Sequence, residues 1–279
     1  MPKFTANLTM LFTEVDFLSR FAAAARSGFT GVEYLFPYSF PKDQLAETLR
    51  KHNLTQVLYN LPAGNWDAGE RGIACHVDRV GEFQEGVDRA IDYARTLDCK
   101  QINCLAGIAP ESISPARTRE VFVSNLKYAA PRLAAHGIKL LIEPINTFDI
   151  PGFFLSRTSQ ALEIMAEAAE PNLYLQYDVY HMQMMEGNLA TTIKQNLARV
   201  AHVQVADVPG RHEPGTGEIN YPFLFRHLDS IGYDGWVGCE YKPLAKTEDG
   251  FGWLKLEAPS AASEPRAEIL SKAKELTGV

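Results

Sequence analysis

Short apolar runs rich in β-formers alternate with longer amphipathic stretches along the chain. The runs cover 4–11, 32–36, 56–60, 101–105, 139–143, 173–178, 200–205 and 236–240. Helical periodicity fills the gaps near 14–27, 42–52, 80–98, 116–136, 157–169, 188–197 and 221–231, with a last pattern at 263–276. Phe83, Val87, Ala90, Ile91 and Ala94 make one apolar stripe, and Leu126, Ala130, Leu133 and Ala134 make another. Gly28 and Gly137 stand where two of these helices must stop. Eight strands alternating with helices predict βα units and a parallel sheet. The strands are apolar at nearly every position, which suits a sheet covered on both faces.

Open doubly wound sheets alternate in the same way. The count of eight and the 279-residue length favour a closed, single-domain (β/α)8 TIM barrel spanning 1–279, its last helix at 263–276. No G-x-G-x-x-G follows the first strand, and no phosphate-binding G-x-x-x-x-G-K-[ST] occurs. The stretches 108–115 and 209–221 are Pro- and Gly-containing loops after strands, where barrel enzymes carry their chemistry.

Composition narrows the function. The net charge of -7 argues against a nucleic-acid partner. No apolar run is long enough to cross a membrane, and the N-terminus does not read as a secretory signal. Cys75, Cys99, Cys104 and Cys239 fit neither a C-x-x-C pair nor a zinc ribbon, so reduced thiols and a cytoplasmic location are expected.

The chemistry collects at four strand ends. KLLIEP ends the fifth strand at Glu143, LYLQYD the sixth at Asp178, VAHVQV the seventh near Gln204, and GWVGCE the eighth at Glu240. Successive members are about one βα unit apart. A lone acid at a strand end is more often a helix cap, but a closed barrel would gather these four at its C-terminal mouth. Three carboxylates and an amide oxygen there call for a cation, and an all-oxygen set suits Mg2+ or Mn2+ better than zinc.

Several segments then point to a family. NLTMLFTE, NLPAGNWDAGERG, LIEPINTFDIPGFFL, YDVYHMQ, HVQVADVPGRHEPGTGEINY and GCEYKP resemble the hydroxypyruvate isomerases and 2-oxo-tetronate isomerases of the xylose-isomerase-like barrel superfamily. The resemblance implies that Glu143, Asp178, Gln204 and Glu240 hold the metal, and that Glu143 and Glu240 are the catalytic acid/base pair. Glutamine at 204, where ketose 3-epimerases of the group often carry histidine, points to the hydroxypyruvate branch. The implied substrate is a small anionic hydroxy-keto acid, with 2-oxo-tetronate isomerisation or ketose 3-epimerisation as variants on the same site. Arg71 and Arg211 are the expected carboxylate binders, each with a rival role as a surface arginine paired with Glu70 or Glu213. His181 is expected to bond a substrate oxygen or orient a ligand, and Glu70 and Glu218 are weaker rim candidates. Phe12, Phe36, Tyr59 and Trp66 either wall the pocket or simply pack. Met182, Met184 and Met185 read as packing, an apolar cap or a contact in a homo-oligomer. A metal phosphodiesterase like the apurinic endonucleases shares Glu143, Asp178 and His181 but requires more histidines. A non-catalytic barrel would be expected to have lost Glu143 or Glu240.

Overall fold

The computed structural model describes residues 2–255; the helix expected at 263–276 lies outside the described residues. Eight parallel strands close into a barrel in sequence order. They are β1 (Lys3–Asn7), β2 (Gly31–Glu33), β3 (Thr55–Asn60), β4 (Gln101–Cys104), β5 (Lys139–Ile142), β6 (Leu173–Asp178), β7 (Val200–Val205) and β8 (Trp236–Cys239). The ring shuts where Lys3 to Ala6 pair with Trp236 to Cys239.

Among the described residues the helices are α1 (Phe17–Arg26), α2 (Lys42–His52), α3 (Val80–Leu97), α4 (Pro115–Ala134), α5 (Thr158–Ala168), α6 (Val179–Met185), α7 (Leu189–Gln195) and α8 (Tyr221–Ser230). Local chemistry sets their ends. The Ser114 side chain accepts from Arg117 N–H to cap α4, with Pro115 in the first turn. The Asn220 side chain does the same for α8 through Phe223 N–H. After α1 and α4 the chain turns at Gly28 (φ 91°) and Gly137 (φ 68°), a left-handed conformation that glycine adopts without a steric cost.

The stripes read from the sequence are buried at Phe83, Val87, Ala90, Ile91 and Ala94 on α3 and at Leu126, Ala130 and Leu133 on α4, whereas Ala134, at the end of α4, is exposed. They belong to one apolar core between the helices and the outer face of the barrel. All four cysteines are buried free thiols. Met182 is fully buried in this core, with Met184 and Met185 packed against it.

The barrel interior differs from the all-apolar expectation. Thr5, Gln56, Gln101, Gln176 and His202 are buried within the strands. A separate apolar cluster of Val57, Leu58 and Leu141, packed with Tyr174, Ala201 and Trp236, fills part of the ring. Gly31 makes room for it, because a β-carbon there would lie 2.8 Å from the Trp236 ring. Gln101 Nε2 donates to His202 Nδ1, Gln56 Nε2 to Leu58 C=O and Gln176 Nε2 to Gln204 Oε1, so these polar residues prescribe neighbours in a way an aliphatic filling would not.

Candidate active site

The strand ends converge as their order requires. Parallel pairing puts Asp178 beside Gln204 and Gln204 beside Gly238, two residues before Glu240. Glu143 follows β5 directly. All four expected ligands are buried, Glu143 at 5% exposure, Asp178 at 1%, Gln204 at 2% and Glu240 at 6%. Glu143, Gln204 and Glu240 line a mouth cavity together with Asn7, Glu33, Asn60, Trp66, Gln176, His181 and Arg211. Its free volume is about 80 Å³, small beside the several hundred Å³ usual for drug-sized ligands.

One guanidinium sits in the middle of the acids. Arg211 Nη2 lies 3.4 Å from Asp178 Oδ2 and 3.4 Å from Glu240 Oε1. Burial works against its charge, yet Glu240, Asp178 and Glu143 raise its pKa above the ordinary arginine value. Its backbone is held at φ 60°, which costs a residue with a β-carbon. The surrounding loop explains how it stays there. The buried Asp207 side chain accepts from the backbone N–H groups of Val208, Gly215 and Ile219, and Lys242 N–H donates to Arg211 C=O.

Each acid has its own support. Asn103 Nδ2 donates to Glu143 Oε2 at 2.9 Å and to Asn60 Oδ1 at 3.1 Å. Asp178 Oδ1 accepts from Tyr180 N–H and His181 N–H, so the same carboxylate caps α6. Burial, then the charges of Glu240 and Asp178, pushes the Glu143 carboxyl well above the usual carboxylate range. Burial pushes Glu240 up to about 8, with Arg211 working against it and Asp178 and Glu33 adding to it. Burial also raises Asp178, although Arg211 and its two N–H donors hold it down.

His181 is neutral, because burial and then the Arg211 charge hold it well below the usual histidine value. The Asn146 amide fixes its tautomer. Asn146 Oδ1 accepts from Phe148 N–H and Asp149 N–H, which leaves Nδ2 to donate to His181 Nδ1 at 2.7 Å. The proton therefore sits on Nε2, 3.5 Å from Asp178 Oδ2 and 4.0 Å from Glu143 Oε1.

Among the described residues, ligand atoms of Glu143, Asp178 and His181 lie within 4.8 Å of one another and could hold a metal ion. The donor set fits a hard divalent cation. Three buried carboxyl groups face a single guanidinium, and at Glu143 the charges of Glu240 and Asp178 add to the cost of burial, a cost that a bound cation would offset. The Nε2–H tautomer makes His181 a proton donor in this arrangement, which leaves oxygens as the natural ligands.

Other expected residues lie elsewhere. Glu70 pairs closely with Arg79 and accepts from Asn65 N–H, outside the cavity lining. Arg71 Nη1 donates to the carbonyls of Trp66 and Glu70, and its guanidinium stacks 4.3 Å from the Trp66 ring centroid. Arg71 thus supports a cavity wall. Glu218 accepts from Gln183 on the exposed rim, and Glu213 accepts from Leu244 N–H instead of pairing with Arg211. Trp66 and Tyr59 line the cavity, Phe36 packs edge-on against Trp66, and Phe12 packs against Phe251. Sequence reasoning missed Glu33, Asn103 and Asn146. Their signal was a polar residue within or just after an apolar strand run, which is weak when taken singly.

Comparison with known proteins identifies the family. Residues 21–257 match the xylose isomerase-like TIM barrel family. The chain is 52% identical over 254 residues to hydroxypyruvate isomerase of Escherichia coli, covering 91% of this chain and 98% of that protein. It is 47% identical over 255 residues to 2-oxo-tetronate isomerase of Cupriavidus necator, covering 91% and 98%. A solved structure named AP endonuclease, family 2, from Brucella melitensis superposes with a TM-score of 0.89 at 49% identity, covering 91% of this chain and 98% of that one.

Proposed function

The chain belongs to the xylose isomerase-like TIM barrel family and is an isomerase, and on that premise we propose that it interconverts hydroxypyruvate and tartronate semialdehyde (2-hydroxy-3-oxopropanoate). The observation that carries this reading is the convergence of Glu143, Gln204 and Glu240 on one small cavity with Arg211 among them, and with Asp178 against the Arg211 guanidinium. Such a cavity suits a short anionic hydroxy-keto acid.

A divalent cation, Mg2+ or Mn2+, held by Glu143, Asp178, Gln204 and Glu240 would act as a Lewis acid toward the substrate carbonyl. The protein's own groups do the rest. Arg211 is the cavity's guanidinium and receives the substrate carboxylate. One glutamate of the pair Glu143 and Glu240 removes a proton from the hydroxyl-bearing carbon. The electron pair of that C–H bond forms the enediol, and the former carbonyl oxygen takes up a proton. The enediol collapses when a glutamate returns a proton to the adjacent carbon and the original hydroxyl gives up its own. With no cation bound, burial lifts Glu240 to about 8, close enough to neutrality for a carboxyl group both to take and to give a proton. Asn103 fixes the Glu143 carboxylate. His181, with its proton on Nε2, donates to a substrate oxygen as charge builds there.

A phosphodiesterase reading is suggested by the name of the Brucella relative. The site carries one histidine in its metal-capable cluster, and the chain carries a net charge of -7, both unfavourable for a multi-zinc site on DNA. The deciding experiment is a turnover panel of hydroxypyruvate, a 2-oxo-tetronate, free ketoses and abasic DNA, each with Mg2+ and Mn2+. Turnover of hydroxypyruvate above the others is expected. Turnover confined to DNA or to ketoses would refute the proposal.

A further inference from the structure

Glu33 ends β2 at 1% exposure and reaches the cavity floor as a fourth carboxylate. Three side chains surround it. Asn7 Nδ2 and Gln204 Nε2 donate to its Oε1 at 3.3 and 2.8 Å. His202 Nε2 lies 2.9 Å from its Oε2, off hydrogen-bond alignment. His202 is itself fully buried, and its Nδ1 accepts from Gln101 Nε2 at 3.2 Å, so the ring turns its Nε2–H toward Glu33. The space is cleared by β8. A β-carbon on Gly238 would fall 2.4 and 2.6 Å from the two Glu33 oxygens, and Gly238 is the register partner of Gln204. A glycine two residues before Glu240 thus lets the carboxylate stand under Gln204.

The two ends of a side-chain amide are alike in size and opposite in chemistry. The oxygen accepts, the nitrogen donates, and a carboxylate can only accept. With Glu33 beneath it, Gln204 turns its nitrogen to the floor. Its Oε1 accepts from Gln176 Nε2 at 2.6 Å and keeps a second lone pair. A cation can be bound through that oxygen and not through an NH2 group.

We propose that Glu33 is a positioning residue: its carboxylate locks the Gln204 amide with Nε2 toward the barrel floor, so that Oε1 is the atom offered to a divalent cation. The inference rests on the cation reading given under Proposed function. It gives the buried Glu33 a task distinct from proton transfer and from ligation: its Oε1 accepts from Asn7 and Gln204, and its Oε2 stands 2.9 Å from His202 Nε2 inside the barrel.

The test measures Mn2+ affinity calorimetrically on the purified, chelator-stripped protein, with a double-mutant cycle. Glu33→Gln keeps the size but offers Gln204 a donor as well as an acceptor, and it should weaken Mn2+ binding by about 10-fold or more. Gly238→Ala keeps the charge but displaces the carboxylate, and it should act in the same direction. In a Gln204→Leu background, where no amide is left to orient, neither change should weaken binding further. In the metal-free protein, the side-chain 15N–1H signals of Gln204 should shift in both single variants. Wild-type affinity in Glu33→Gln and Gly238→Ala would overturn the inference. So would a loss that repeats in full on top of Gln204→Leu, the signature of Glu33 as a direct ligand. A wild-type protein that binds neither Mn2+ nor Mg2+ would remove the cation reading, and this inference with it; a wild-type protein that binds Mn2+ while the variants bind equally well would remove this inference alone.

Discussion

Asp178 and Glu240 share one guanidinium: Arg211 Nη2 stands 3.4 Å from an oxygen of each. This joins β6 to β8 through a residue of the β7–α8 loop. It also puts the cavity's guanidinium between two carboxylates that would otherwise repel across a buried space.

Replacing Arg211 with methionine keeps much of the apolar stem and removes the charge. The acids lose their neutralising partner and the substrate its carboxylate clamp. We expect kcat/KM for hydroxypyruvate to fall by about 100-fold, in line with truncating one member of a buried charge pair. Steady-state kinetics at saturating Mn2+ checks this.

The Asp207 side chain accepts from three backbone N–H groups of the loop that carries Arg211. Asp207→Ala would leave those donors unmet in a buried place. A loss of about 2 kcal/mol in unfolding free energy is expected, together with a raised KM as Arg211 loses its seat. Denaturant unfolding and kinetics measure the two effects separately.

Asn146→Ala would release His181 from the tautomer that places its proton on Nε2. The expected result is a drop of about 10-fold in kcat/KM with Mn2+ affinity unchanged, since His181 acts toward substrate in this account. Calorimetry beside kinetics decides it: a parallel fall in metal affinity would make His181 a ligand.

Buried acids with raised pKa values make metal-free stability fall as pH rises. The folded state holds the proton of Glu240 up to about 8, whereas the unfolded chain releases it in the ordinary carboxylate range, so the stability this group adds is lost progressively as pH rises from that range through about 8. His181 works oppositely, its folded value being lowered; the stability it adds grows as pH rises through the unfolded histidine value and is complete by about pH 7.5. From about pH 7.5 to 8.5 the metal-free protein should therefore lose about 1 kcal/mol, and Mg2+ should stabilise it more at the upper end. Thermal melts at both pH values, with and without Mg2+, read this out.

The barrel was legible because strand runs and helical stripes repeat eight times, and periodicity survives errors at single residues. Boundaries were less so: β1 stops at Asn7 although the apolar run continues to Leu11. The short α6 hid because its cap is Asp178, read first as a cation ligand. The four expected ligands share the mouth because strand order alone brings neighbouring strand ends together. Glu70 and Arg71 were not placed by such a rule, since a loop arginine meets whatever the fold brings near it. Arg71 found Trp66, and Glu70 found Arg79. Glu33 was hidden for a related reason. Asn7 is its register partner on β1, but His202 and Gln204 sit on β7, and only closure of the ring brings them to Glu33.

In the proposed reaction, carboxylates at the ends of β5 and β8 carry the substrate proton. Proton NMR of hydroxypyruvate in D2O with Mn2+-reconstituted protein, quenched and freed of metal before recording, tests it directly. The wild type should form tartronate semialdehyde with deuterium at the new C–H, while Glu143→Gln and Glu240→Gln should each stop turnover with melting curves that still show a folded protein. Turnover at the wild-type rate in both glutamine variants would contradict the account.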